Sequence, residues 1–189
     1  MKTRLFRLAA IAALFASSAA YSQGYVGLGA GPAKINIDCA GADTCDKTDT
    51  GWKLYGGMKF GSNLAGELVY VDWGKAKASA TDAELGTATL DVKASGIGLG
   101  VAYHVPLAAW SCLGRLGIMQ NKGKTSVSLN GLSASDSFTG TFPYYGVGCG
   151  YSLTPNLTLT AEADFSRVKY TDQDKANVQL LSIGLRWGW

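Results

Sequence analysis

Large apolar residues recur at every second position in eight separate stretches of the chain. They lie at about 24–37, 51–60, 64–74, 92–105, 112–121, 141–151, 157–170 and 177–189. A period of two is the mark of a β-strand, whose successive side chains point to opposite faces. In "LLSIGLRWGW", Leu181, Ile183, Leu185, Trp187 and Trp189 share one face, while Leu180, Ser182, Gly184, Arg186 and Gly188 share the other. "GWKLYGGMKF" sets Trp52, Leu54, Met58 and Phe60 against Lys53, Tyr55, Gly57 and Lys59. "SGIGLGVAYHV" sets Ile97, Leu99, Val101, Tyr103 and Val105 against three glycines, Ala102 and His104. In the first stretch Pro32 intervenes, and Ile35 and Ile37 break the phase.

The connections alternate in length. "GSN" (61–63), "PLAAW" (106–110) and "SLTPN" (152–156) are short, whereas 38–50, 75–91 and 122–140 read as long polar loops and 171–176 as a loop of middling length. Eight strands of roughly 10 residues, joined by short turns on one side and longer loops on the other, fit a transmembrane β-barrel. An even strand count places both ends of the barrel on the short-turn side, the periplasm.

Which face is outside decides between two kinds of barrel. A soluble ligand-binding barrel turns its apolar face inward, and a membrane barrel turns it to lipid. Here the second face is mostly Gly, Ala, Ser and Thr, a poor coat for a protein in water and a suitable lining for a narrow bore. Trp52, Phe60, Tyr70, Trp73, Tyr103, Trp110, Tyr145, Tyr151, Trp187 and Trp189 gather at strand ends, where amphipathic rings form an interfacial girdle. The expected fold is therefore all-β: an eight-stranded antiparallel up-and-down transmembrane β-barrel.

The N-terminus supports export. Lys2, Arg4 and Arg7 precede an apolar run from Leu8 to about Ala16 and then small residues, the order of a secretory signal peptide. We read 1–22 as that signal and 23–189 as the barrel domain. Three of the 17 Lys and Arg lie in the signal, and the remaining 14 balance 14 Asp and Glu, so the basicity gives no support to nucleic-acid binding.

The signal, "GYVGLGAG" in the first strand, "NLAGELVYVDWG", "YYGVGCGYSLTPNLTLTAEADFSRVKY" and the aromatic C-terminus resemble the small outer-membrane barrels. That family comprises the membrane domain of outer membrane protein A and the opacity-type surface proteins. The resemblance implies a barrel of the bacterial outer membrane and a terminal aromatic, Trp189 with Trp187, read as a signal by the barrel-assembly machinery.

"GLGAG" (27–31), "GIGLG" (96–100) and "GVGCG" (146–150) look superficially like nucleotide-binding loops. No helical pattern follows any of them, as such a loop requires. They are expected to let the wall pack closely against other side chains, and no cofactor or metal is expected. Lys53, Lys59, Glu67, Arg115, Glu162, Asp164 and Arg186 fall on the inner phase. Charges there must pair, because an unpaired charge away from water is costly. Pairing the last two strands about the centre of 171–176 would set Glu162 diagonal to Arg186. The group reads as a plug, or alternatively as a gate whose re-pairing opens a narrow pore.

Four cysteines in an exported chain suggest two disulfides. Cys39 and Cys45 share one loop, and pairing strands five and six about position 130 or 131 sets Cys112 opposite Cys149. Other pairings would have to span the membrane, beyond disulfide reach. Lys75, Lys77, Lys93, Lys122, Lys124, Arg167, Lys169 and Lys175 approach the outer rim, where ammoniums could meet lipopolysaccharide phosphates. The single histidine, His104, falls beside the periplasmic turn, the wrong leaflet for a lipid A-modifying enzyme. The expected role is structural or one of surface interaction, with the loops meeting a host or surface ligand and the chain acting as a monomer.

Overall fold

The computed structural model describes residues 23–39, 41–82, 86–129, 132–171 and 174–189. The expected targeting segment, 1–22, lies outside them. Strands β1 (Gly24–Ile35), β3 (Thr48–Phe60), β4 (Leu64–Asp82), β5 (Gly86–Leu107), β6 (Trp110–Leu129), β7 (Leu132–Ser152), β8 (Leu157–Lys169) and β9 (Lys175–Gly188) form an antiparallel ring. β9 pairs back onto β1, with Val26 opposite Trp187 and Leu28 opposite Leu185. Trp189 N–H donates to the Gly24 carbonyl at 3.0 Å and completes that seam. A three-residue strand, β2 (Thr44–Asp46), lies in the first loop and pairs with the upper part of β4.

The alternation sets the wall as expected. Leu99, Leu116, Ile118 and Ile183 are each more than 60% exposed, while Val69, Val71, Tyr55 and Met119 on the opposite phase are buried. Exposed leucines in continuous rows are untenable in water and at home in acyl chains.

Two expectations need correction. The stretches 75–91 and 122–140 are largely strand rather than loop. β4 to β7 run 19, 22, 20 and 21 residues, whereas β1, β3, β8 and β9 run 12 to 14. A tilted membrane strand needs about 9–11 residues. The two central hairpins therefore rise well beyond the bilayer, and their polarity reflects water outside them rather than a lack of strand.

The second correction concerns Trp73, placed in the girdle from the sequence. Its phase is that of Glu67 and Val71, and it is fully buried inside the bore. Just beyond it the register slips between Asp72 and Lys75, at Gly74, which has φ +70°. This left-handed position suits glycine, and Asp72 Oδ1 accepts the Gly74 N–H at 2.8 Å. The bulge inverts the phase of β4, so Ala76 and Ala78 point inward while Lys77 is exposed.

Cys39 bonds to Cys45, and Cys112 bonds to Cys149. The second pair occupies directly opposed positions of β6 and β7, two residues from the rung formed by Trp110 and Tyr151. It lies on the outward phase and staples the hairpin from the lipid side.

Candidate functional site

The inward residues form layers that can be followed along single strands. Up β8 from the periplasmic end, the inward positions are Thr160, Glu162, Asp164, Ser166 and Val168. Down β9 from the outside they are Ala176, Val178, Leu180, Ser182, Gly184 and Arg186. Both strands pass from charge to hydroxyl to hydrocarbon as they leave the membrane.

The charged layer joins five of the seven residues read as a plug. Lys53 Nζ is ion-paired with both Glu162 and Asp164. Arg115 Nε meets Glu67 Oε2 at 2.5 Å, and its Nη1 meets Glu162 Oε2 at 2.5 Å and Asp164 Oδ1 at 3.8 Å. All five residues are buried. Three tyrosines complete the layer, which the charge pattern alone did not reveal. Tyr25 donates to Glu67 Oε1 at 2.5 Å, Tyr55 to Glu162 Oε1 at 2.9 Å and Tyr144 to Asp164 Oδ1 at 2.5 Å. Every carboxylate oxygen in the layer thereby accepts at least one bond. The Arg115 guanidinium also lies 4.4 Å over the Tyr55 ring, and only its Nη2 lacks a partner. These tyrosines share the inward phase of their strands, which was the available signal.

The glycine repeats make the room. A side chain on Gly148 would meet Glu162 Cγ at 2.6 Å, and one on Gly146 would meet Asp164 Oδ1 at 2.7 Å. These are the residues directly opposite on β8. Glycine thus lets each acid lie flat against the neighbouring strand and reach across the bore.

Arg186 does not join the layer. Lys169 sits opposite Lys175, which puts Ser182 opposite Glu162 and Thr158 opposite Arg186. The turn is centred earlier than the sequence spacing suggested, so the expected diagonal pair does not form. Arg186 bonds Ser111 Oγ at 3.0 Å, and Lys59 reaches Gln23 Oε1 at 3.4 Å, both at the periplasmic mouth. His104 lies above them, inside the bore, its Nε2 3.2 Å from the Tyr25 hydroxyl.

Outward of the charged layer the bore is closed a second time. Trp73 Nε1 donates to Asn121 Oδ1 at 3.1 Å, and Asn121 Nδ2 donates to Ser166 Oγ at 2.9 Å. Beyond this polar belt Ile35, Ile37, Val92, Val168, Val178 and Leu180 form a buried apolar cap with Trp73.

On the outer wall, Lys75, Lys93 and Lys124 fall in one cross-strand row, and Lys122 stands opposite Ser95 a rung below. These four ammoniums have no carboxylate partner among the described residues. The nearby acids turn to the backbone instead, with Asp49 Oδ2 accepting Lys75 N–H at 3.0 Å. Lys77 meets Asp91 at 3.8 Å, and Lys169 Nζ lies 5.9 Å from the Phe138 ring centre.

An apolar outer wall, a closed ring of eight strands and a bore filled by ion pairs define a small transmembrane barrel of the bacterial outer membrane. The chain belongs to the outer membrane protein beta-barrel domain family, whose model matches residues 6–188. No curated protein matches the sequence. Among solved structures, the fold is similar to Neisserial surface protein A, with a TM-score of 0.61 and 19% identity, covering 88% of this chain and 97% of that one. It is also similar to Ail, the attachment invasion locus protein of Yersinia pestis, solved with the heparin analogue sucrose octasulfate. That match has a TM-score of 0.55 and 21% identity, and covers 88% of this chain and 99% of Ail. The N-terminal beta-barrel domain of Pseudomonas aeruginosa OprF gives a TM-score of 0.52 at 12% identity, covering 89% of this chain and 97% of that domain.

Proposed function

We propose that this protein is a non-enzymatic surface barrel that holds two tall β-hairpins outside the cell for recognition of another surface. The carrying observation is the contrast between a bore closed twice and strands about double the length a bilayer needs. A rigid stalk under exposed hairpins suits contact rather than transport. The crystallised Ail complex with a heparin analogue is consistent with ligand contact on a barrel of this shape. His104 sits inside the periplasmic half, hydrogen-bonded to Tyr25, which disfavours outer-leaflet chemistry.

The test replaces 78–90 and 126–135, each by an Asn-Gly turn, which suits a two-residue hairpin. The shortened barrel is expected to keep its heat-modifiable migration and lose adhesion of expressing cells to host cells. Undiminished adhesion would remove the role assigned to the hairpins. Stepwise conductance of the intact protein in planar bilayers would favour the gated-pore reading instead.

The lysine row supports a second part of the reading, seating in lipopolysaccharide. Like charges directly opposite across a sheet repel, and phosphates just above the girdle residues Trp52 and Tyr70 would relieve that repulsion. Each ammonium near an anionic surface contributes about 1 kcal/mol. Replacing Lys75, Lys93, Lys122 and Lys124 by Gln should lower lipopolysaccharide retention at least about tenfold, with the barrel still folded. Unchanged retention on purification would refute the seat.

For biogenesis, we propose from the family resemblance that the assembly machinery reads Trp189. Deleting it should cut outer-membrane insertion several-fold more than Trp189→Phe, as measured by protease protection and heat-shifted migration. Equal insertion of both variants would count against a terminal signal.

A further inference from the structure

The periplasmic mouth of the bore holds two cations that the charged layer does not use. Lys59 is the penultimate residue of β3 and Arg186 nears the end of β9, and both line a cavity of about 380 Å³ with Gln23, Ser111, Asn156 and His104. Tyr25 also lines it, and its hydroxyl donates to the buried Glu67 of the charged layer. Neither cation has a carboxylate within ion-pair distance among the described residues. The acids of the layer above are already committed to Lys53, Arg115 and the three tyrosines.

Arg186 has ample unused capacity. One Nη2 bond goes to Ser111, and the guanidinium faces the Tyr25 ring at 5.8 Å. A guanidinium carries five N–H donors in a fixed fork that matches a carboxylate or phosphate. Lys59 has one long bond to the Gln23 amide oxygen. Two like charges facing a confined concavity repel each other more than they would in bulk water, since the low-dielectric wall weakens screening. An anion between them removes that repulsion and satisfies the idle donors.

We propose that this vestibule is an oxyanion-binding site, taking a phosphate or carboxylate group from the periplasmic side. Arg186 supplies the bidentate fork, Lys59 the second charge, and the Ser111 hydroxyl and Asn156 amide further polar contacts. The group could belong to a soluble anion or to the phosphate of an inner-leaflet lipid headgroup at the rim. No extracellular residue takes part, so this site stands or falls apart from the role of the hairpins.

The test titrates the folded full barrel in maltoside micelles with inorganic phosphate at constant ionic strength. The reporters are the Arg186 Nε–H and Gly188 amide resonances. A saturable shift is expected in the wild type, weakened at least tenfold by Arg186→Gln or Lys59→Gln and unchanged by Lys47→Gln in the first loop. A parallel titration adds phosphatidylglycerol. Saturation by the lipid alone assigns the group to a headgroup, and saturation by phosphate assigns it to a soluble anion. No saturable shift with either probe, or a shift that survives both vestibule variants, overturns the site.

Discussion

Arg115→Leu is expected to lower the stability of the barrel by about 3–5 kcal/mol, the usual cost of removing one partner from a buried ion pair. Arg115 contacts Glu67 and Glu162 directly and lies near Asp164. Without it, three buried carboxylates share the single ammonium of Lys53. The tyrosine hydroxyls still donate to each acid, but a hydroxyl carries no compensating charge. Urea unfolding in lipid vesicles, followed by tryptophan emission, measures the loss.

A second substitution separates pairing from packing. Adding Glu67→Gln to Arg115→Leu removes the acid left without its cation and returns the layer to the wild-type excess of one negative charge. The double variant should therefore be more stable than the sum of the single effects allows. Strict additivity would mean that the layer is held by packing alone.

Much of this arrangement was legible in the sequence, for a reason that also explains what was missed. Alternation is a local property of the chain, so the lipid face of β5 or β9 can be read from "GIGLGVAY" or "IGLRWGW" without knowing any neighbour. The Cys112–Cys149 pairing was legible too, because a hairpin's register follows once its turn is centred. The Glu162 partner was not. It depends on the β8–β9 register, where a shift of the turn by one or two residues changes every opposed pair. Lys53 reaches Glu162 across the bore rather than along a hairpin, and no spacing in the sequence encodes a contact through the lumen.

The extensions of β4 to β7 were hidden differently. Inside the membrane a strand shows large apolar residues outward and small ones inward. Above it the wall inverts: Lys77 and Lys93 face water while Ala76, Val92 and Ala94 face the cap. The same periodicity thus carries the opposite chemistry on each side of the interface. Residues Ile35 and Ile37, which broke the expected phase of the first stretch, are the first residues of that inverted region and lie buried in the cap.

That inversion makes Trp73 the second sensitive position. Trp73→Ala should cost about 3–5 kcal/mol, the range for truncating a buried aromatic. The indole fills the base of the cap, and its loss also leaves Asn121 Oδ1 without the donor it now accepts from. Asn121 Nδ2 keeps its bonds to Ser166 and to the Arg167 carbonyl, so the belt should loosen rather than collapse. Because the cap and the charged layer close the bore independently, Trp73→Ala alone should remain non-conducting in planar bilayers, as should Arg115→Leu. Only the two together should open a small conductance. Channel activity in Trp73→Ala by itself would mean that the ion-paired layer is no seal, and that the hydrocarbon above it is what makes this barrel a stalk rather than a pore.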